Sequence, residues 1–427
     1  MNAPLRIALA GLGTVGGGVA KILAANGAAL GKRAGRALEI VAVLERNEQK
    51  KRGFPVSLWI DDPIAFAGTD ADVVVELIGG EDGPALTLVE AALKAGRHVV
   101  TANKALLARH GAHLAQLAEQ HGCALKFEAA VAGGIPIIKS LRENLIGYGV
   151  NGVRGILNGT CNYILTQMES TSRSFAEVLK DAQRLGYAEA DPTLDIGGGD
   201  TAHKLALLAA LAFGTAPALD AIPVEGIAHI TPVDIAFARE FGFRIKLLGI
   251  AKKTPQGIDQ RVQPAMVRAG TPLGDVDGAF NAVVADAGPA GPYFFEGRGA
   301  GEAPTANAVI ADLLDIARGD IGFAFGIPAG ELITLPPAPV GSAVSAFYLR
   351  FQVLDVPGVL AEIAGKLAEW RVSIESMIQR GRAPSEAVAI VMITHETTHE
   401  SVARALKTIA SSDKVLEPPC MIPMEAG

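Results

Sequence analysis

One glycine cluster constrains the fold of this chain more than any other feature. Gly11-Leu12-Gly13-Thr14-Val15-Gly16 follows the apolar run Leu5–Ala10 and opens an Ala-rich stretch of helical spacing, Val15–Ala25. Glycines at this spacing serve a strand that turns sharply into a helix. Gly11 allows the turn, Gly13 lets backbone approach a pyrophosphate, and Gly16 lets helix pack on strand. The helix N-terminus adds partial positive charge and free N–H groups. An unliganded glycine turn carries the same letters, but the position between strand and helix favours a dinucleotide.

The alternation continues downstream. Arg6–Ala10, Glu39–Leu44, Val73–Leu77, His98–Thr101 and Ala124–Glu128 read as strands. Val15–Ala25, Pro84–Ala95 and Ala105–His121 read as helices between them. This predicts an α/β fold that begins with a Rossmann-type, doubly wound parallel sheet over residues 1–130. From 131 to 335 helical patterns (Phe175–Leu185, Asp200–Ala212, Pro232–Phe241) precede strand-like ones (Arg244–Ala251, Asp259–Val267, Ala282–Ala287), an α+β domain. The helix Pro304–Gly319 is expected to return to the first domain and complete it over about 304–330. The Pro-rich stretch Leu335–Ser342 reads as a stiff linker unable to join a sheet, assigned to residues 336–345. Residues 346–427 then follow a βαββα order: strand Phe347–Val353, helix Gly358–Trp370, strands Val372–Arg380 and Ala387–Thr394, helix His399–Ser411. This module is expected to stand alone behind the linker.

Composition narrows the function. A chain of 427 residues suggests roughly three domains. Net charge is −7 with scattered basic residues, which argues against nucleic-acid binding. The densest apolar run is Leu205–Phe213, whereas about 20 residues span a bilayer, so no membrane span is expected. The N-terminus lacks a signal-peptide layout, and Cys123, Cys161 and Cys420 form neither a disulfide framework nor a zinc spacing. These features suggest a cytoplasmic protein.

Several residues carry candidate chemistry. At the end of the second strand an acid favours NAD and an Arg favours NADP. Glu45 and Arg46 both occur, with Lys50, Lys51 and Arg52 close by, so the reading leans to NADP without excluding NAD. Lys104, in Thr101-Ala-Asn-Lys104, lies at the carboxyl edge of the predicted sheet. Asp200 and Lys204 are i,i+4 on one helix and so share a face; they suit either a desolvated amine or a surface ion pair. His203 points about 100° away from Lys204 and reads as structural. Glu189, Asp191, Asp195 and Asp200 form a carboxylate-rich loop broken by Pro and Gly. Such a loop suits either an amino-acid ammonium or helix capping. Asn158-Gly-Thr-Cys161-Asn-Tyr163 reads as a polar turn, and Cys161 has no evident His partner for a nucleophile's role.

Together these segments resemble homoserine dehydrogenases. The matching pieces are Gly11–Gly16, Thr101–Lys104, Glu128–Pro136, Asn158–Leu165, Gly186–Pro192, Asp195–Lys204 and Gly299–Thr305, in family order over residues 5 to about 330. The resemblance implies NAD(P)-dependent interconversion of L-homoserine and L-aspartate 4-semialdehyde, in threonine, methionine and isoleucine biosynthesis. It implies catalytic roles for Lys204, Lys104 and Asp200, with Lys204 as proton donor and acceptor at the substrate oxygen. It places substrate at Glu189, Asp195, Asp200 and Lys104. It places cofactor at Gly11, Gly13, Thr14, Val15, Gly16, Arg46, Lys104, Gly186 and Gly301. It also implies a monovalent cation such as Na+ or K+ near Glu128, Val131, Gly133 and Ile135, bound largely through backbone carbonyls.

The segment Leu354-Asp-Val-Pro-Gly-Val-Leu-Ala-Glu-Ile363 resembles the signature of an ACT domain, which implies a βαββαβ fold, L-threonine as effector and a homodimer or homotetramer. A module that only dimerises is the plainer reading. Two alternatives remain for the whole chain: a phosphorylating semialdehyde dehydrogenase, which needs Cys161 as nucleophile, and a non-catalytic amino-acid sensor, which has no need of both lysines.

Overall fold

The structure, a computed structural model, describes residues 3–45, 58–339, 341–380 and 387–425. The first sheet holds β1 (Leu5–Ala10), β2 (Leu38–Leu44), β3 (Trp59–Ile60), β4 (Val73–Glu76), β5 (His98–Thr101) and β6 (Leu125–Lys126). All pairings are parallel and the order is β3-β2-β1-β4-β5-β6. Both faces are covered, so consecutive residues are apolar in Ile7–Ala10, Ile40–Leu44 and Val73–Val75 rather than alternating. Helix Glu302–Ala317 lies against helix Thr14–Ala34, and Ala306, Val309, Ile310 and Leu313 share a core with Ile7, Leu9, Val73 and Val75. The approach is close at Gly18, where a Cβ would stand 2.7 Å from Glu302 Cγ.

The second sheet contains β7 (Gly152–Ile156), β8 (Phe243–Thr254), β9 (Gly257–Arg268), β10 (Phe280–Asp286) and β11 (Pro292–Arg298). Helices Gly159–Thr171, Gly199–Phe213 and Pro232–Glu240 pack against β8. Three of these elements differ from expectation, β11 being a strand where none was expected. The polar stretch at Asn158–Tyr163 is the start of a helix rather than a turn: Asn158 Oδ1 accepts the Cys161 N–H at 2.8 Å and caps it. β7 escapes a propensity reading because it carries glycines, required by crowding; a Cβ on Gly155 would stand 2.3 Å from the Ala282 carbonyl oxygen.

The C-terminal part comprises β12 (Val344–Ser345), β13 (Phe347–Leu354), helix Val359–Glu369, β14 (Ile374–Gln379), β15 (Ala387–Thr394), β16 (Thr397–Thr398), helix His399–Ile409 and β17 (Cys420–Glu425). Apart from the small β12–β16 pair this is the βαββαβ fold. It does not stand alone. β17 pairs in parallel with β9 through Met424–Met266 and Glu425–Val267, and one nine-stranded sheet runs β11-β10-β7-β8-β9-β17-β13-β15-β14. The linker also joins a sheet edge, contrary to expectation. Ile258 N–H donates to the Pro336 carbonyl (2.9 Å) and Ala338 N–H to the Ile258 carbonyl (2.8 Å). Proline lacks a donor but keeps its acceptor, and Ala338 supplies the missing N–H.

A buried ion pair closes the seam. Asp234, 0% exposed, accepts from Arg350 Nε at 2.7 Å and from the Tyr348 hydroxyl at 3.0 Å. Its other oxygen takes the Thr231 N–H and hydroxyl, a capping box for helix Pro232–Glu240. Asp234→Ala leaves Arg350 buried without its partner and removes the reciprocal half of the capping box. We expect a loss of roughly 3–5 kcal/mol in urea unfolding. Arg350→Met, which fills the space without a charge, is expected to cost less.

Candidate active site

The order of the first sheet reverses between β1 and β4, and open parallel sheets receive ligands at such a point. Gly11, Gly13, Leu44, Glu45, Ile78 and Gly79 line an open cleft of about 380 Å³ there. Gly11 has φ +98°, and a Cβ on Gly16 would stand 1.9 Å from the Gly11 carbonyl oxygen. A Cβ on Gly13 meets nothing within 4 Å. Gly13 and Thr14 are exposed and Val15 half-buried at the start of helix Thr14–Ala34. No side chain caps that helix and its first turn holds no acid, which leaves its N–H groups for an anion. Glu45 accepts the Leu12 N–H at 3.1 Å and braces the turn. Arg46, with Lys50, Lys51 and Arg52, lies outside the described residues.

Lys104 is positioned by a buried relay that the sequence reading missed. Glu76 ends β4 with 0% exposure; it accepts the Ile78 and Gly79 N–H groups on one oxygen and the Thr101 hydroxyl on the other, at 2.6 Å. Thr101 Oγ1 accepts the Asn103 N–H, and Asn103 caps helix Lys104–Gln120 through the Leu106 N–H. A lone carboxylate closing the all-valine run Val73–Val75 was the available signal.

The catalytic candidates meet at one carboxylate. Asp200, 5% exposed, holds Lys204 Nζ on Oδ2 at 2.8 Å and faces Lys104 Nζ with Oδ1 at 3.1 Å. Lys204 also donates to the Leu157 carbonyl at 2.6 Å, and Asn281 Nδ2 shares that carbonyl at 2.9 Å. Asn158 Nδ2 donates to both Asp195 (2.7 Å) and Asp200 (2.9 Å). Burial alone would raise the Asp200 carboxyl. The charges of Lys204 and Lys104, with hydrogen bonds from Lys204 and Asn158, outweigh it and hold Asp200 well below the usual carboxylate range. Asp195 has less compensation, and burial pushes it up. The Asp200–Lys204 pair is therefore not a solvated surface bridge.

Other candidates fall outside this cluster. The Glu189 carboxylate is exposed and reaches none of these groups; Gln183 Nε2 holds the Glu189 and Ala190 carbonyls instead. Gly186, at φ +77°, turns the chain after helix Phe175–Arg184. Thr160 Oγ1 donates to the Tyr187 carbonyl, and Tyr187 stacks on Tyr163 at 4.3 Å, which ties this loop to the Asn158-capped helix. Cys161 is fully buried and donates to the Asp195 carbonyl; burial first, then the charges of Asp195 and Asp200, push its thiol well up. A thiol held neutral is a poor nucleophile. Gly301, at φ +119°, caps helix Glu302–Ala317, and the preceding Gly299 packs against Asn281 and Gly133.

At the candidate cation segment, both Glu128 oxygens accept backbone N–H groups, from Ile138 (2.9 Å) and Lys139 (2.8 Å). The Glu128 N–H donates to Asp312. Ala132 and Gly133 are both left-handed. Burial pushes Glu128 up; burial and then the Glu128 charge push Asp312 up to about 7. Among the described residues no group of three or more His, Cys, Asp or Glu is placed to hold a metal ion.

The two motif glycines separate folding from binding. Gly16→Ala drives a Cβ into the Gly11 carbonyl, so its melting temperature falls without any ligand. Gly13→Ala is expected to melt like the parent and yet bind NADPH at least about tenfold more weakly by fluorescence titration, a loss of ~1.4 kcal/mol.

Comparison with known proteins agrees with this geometry. The chain matches the homoserine dehydrogenase family over residues 136–314, the NAD-binding domain of homoserine dehydrogenase over 11–128 and the ACT domain over 347–413. A homoserine dehydrogenase of Neisseria gonorrhoeae is 44% identical over 434 residues, covering 99% of each chain. The crystal structure of a homoserine dehydrogenase from Thiobacillus denitrificans superposes with a TM-score of 0.92 at 41% identity, over 99% of this chain and 98% of that one. A hyperthermophilic archaeal homoserine dehydrogenase in complex with NADPH, 25% identical with a TM-score of 0.63, covers 73% of this chain and 97% of its own. The glycine cleft, the lysine–aspartate cluster and this agreement along nearly the whole length place the chain in the homoserine dehydrogenase family of oxidoreductases, with a C-terminal ACT domain.

Proposed function

We propose that this chain interconverts L-homoserine and L-aspartate 4-semialdehyde, supplying threonine, methionine and isoleucine synthesis, with Lys204 as acid and base. The observation that carries the reading is the Asp200 carboxylate shared by Lys204 and Lys104. NAD(P), when bound in the glycine cleft, supplies the hydride donor or acceptor at C4 of its nicotinamide. Lys204 donates its proton to the substrate oxygen as charge develops there during reduction and recovers it during oxidation. Asp200, aided by the Leu157 carbonyl, restrains the ammonium so that one proton faces the reacting oxygen. Lys104, a third exposed at the mouth of the cluster, meets substrate and nicotinamide. Asp195 and Glu189 take the amino-acid end, Asp195 from within the cluster and Glu189 by movement of its loop.

NADP is favoured, in line with the NADPH held by the archaeal relative. We assign the nucleotide-binding part to residues 1–130 with the returning helix, and its contacts to Gly11–Gly16, Lys104, Gly186 and Gly301. The buried, upward-shifted Glu128 and Asp312 fit a neighbouring monovalent cation, which would relieve them. Glu128 with the carbonyls of Val131, Gly133 and Ile135 would hold it and stiffen the turn against Gly299. The ACT domain gives feedback by L-threonine, in a homodimer or homotetramer.

Lys204→Ala is expected to lower kcat by about 10²–10⁴ in an NAD(P)H-linked homoserine assay while cofactor affinity stays within about twofold. Wild-type turnover in this variant rules out the acid–base role. Cys161→Ser should remain active, since the thiol only donates to a carbonyl; complete loss with the fold intact would revive an acyl-enzyme route.

A further inference from the structure

Asn281, the second residue of β10, meets the lysine–aspartate cluster through a backbone carbonyl. The β7–β10 ladder ends with Ile156 opposite Ala282. One residue further on, the Leu157 carbonyl accepts from Asn281 Nδ2 at 2.9 Å and from Lys204 Nζ at 2.6 Å. A carbonyl oxygen has two lone pairs, so these two donors fill it. The same contact fixes which way the amide faces: turned over, it would set oxygen against oxygen.

The amide has no room to move. A Cβ on Gly299 would stand 2.1 Å from Asn281 Cγ, and one on Gly159 would stand 3.5 Å from Asn281 Oδ1. Asn281 thus fills the empty sides of two glycines, one opening helix Gly159–Thr171 and one in the Gly299–Thr305 segment. Gly299 also lies where the chain crosses between domains. A Cβ on Gly133 would stand 2.5 Å from the Gly299 carbonyl oxygen, and Gly134 N–H donates to the Arg298 carbonyl at 3.0 Å. The chain leaves the nucleotide domain near Gly133 and returns to it after Gly299, through helix Glu302–Ala317.

Stability does not account for an amide at this position. Asn281 is 1% exposed, and its Oδ1 has no hydrogen-bond partner among the described residues. A buried oxygen without a partner is destabilising, and an apolar side chain of the same shape carries no such cost. What the amide alone supplies is the N–H on the Leu157 carbonyl. The Lys204 ammonium has three protons. Asp200 Oδ2 takes one at 2.8 Å and the Leu157 carbonyl takes another, so the places of these two acceptors set the direction of the third. Asp200 is itself held by Lys104 and Asn158. On the carbonyl side the corresponding hold is Asn281.

We propose that Asn281 is a positioning residue for Lys204: fixed between Gly159 and Gly299, it pins the Leu157 carbonyl and so aims the remaining ammonium proton at the substrate oxygen. This deepens the acid–base reading of Lys204 and rests on it. Through Gly299 the same amide keeps Lys204 in register with the crossings that carry the nucleotide domain. A misplacement of about 1 Å is enough to lose roughly a hundredfold in rate.

The test uses the full chain in the NADP(H)-linked homoserine assay, in H2O and in D2O, with Asn281→Leu and Asn281→Ala. Leu keeps the shape of the amide and loses the donor; its melting temperature is expected to be no lower than the parent's, because the unpartnered oxygen is gone. In both variants kcat is expected to fall at least about tenfold, while KM for homoserine and Kd for NADPH stay within about threefold. The solvent isotope effect on kcat is expected to rise, since a misaimed proton transfer then limits turnover. A merely structural residue lowers the amount of active enzyme and leaves that isotope effect unchanged. If Asn281→Leu does not fold, the same readings on Asn281→Ala decide. A smaller fall in kcat, a loss carried by KM or Kd instead, an unchanged isotope effect, or failure of both variants to fold overturns the proposal. A parent that does not turn over homoserine overturns the functional reading itself, and this proposal falls with it.

Discussion

The arrangement of this molecule depends on one buried carboxylate. Asp200 sits on a helix of the central domain and holds Lys204 of its own helix and Lys104 of the nucleotide domain. An isolated ionised Asp in that position would be strongly disfavoured. Two cations and an Asn158 hydrogen bond keep it charged. The same contacts align two lysines from separate domains on one carboxylate. A buried charge is a weak source of stability compared with an apolar side chain. Its value here is geometric, because each lysine has one carboxylate oxygen to find.

The supports behind Asp200 extend outward in two directions. Toward the nucleotide, Glu76, Thr101 and Asn103 form a relay that sets the first turn of the Lys104 helix. Toward the C-terminus, the Pro223–Ile227 strap and β9 brace the N-cap of the Lys204 helix. β9 also carries the pairing with β17, and Asp234 binds Arg350 and Tyr348 across the same seam. The ACT domain is thus bonded to the catalytic sheet through backbone and through a buried charge. A domain tethered only by its linker would have no such route to the reacting lysines.

Much of this was legible in the residues. The glycine motif, the parallel sheet and the shared face of Asp200 and Lys204 follow from local periodicity and spacing, which depend on neighbours in sequence. What was missed depended on distant neighbours. The helix at Gly159–Thr171 read as a turn because its capping residues are polar. Glu76, Asn281 and the Leu157 carbonyl became part of the site only when strands far apart in sequence came together. Glu189 shared the carboxylate-rich loop with Asp195 and Asp200, yet its side chain faces solvent.

By itself, the sequence determined the kind of fold, the dinucleotide turn and the residue types available for proton transfer. These are local: a turn needs its glycines, and a helix face repeats every three to four residues. Only the tertiary structure decided that Lys104 and Lys204 meet on one carboxylate, that Cys161 is a buried donor, and that the ACT domain continues the catalytic sheet. Burial and charge compensation set those outcomes, and both are properties of the surroundings that folding assembles.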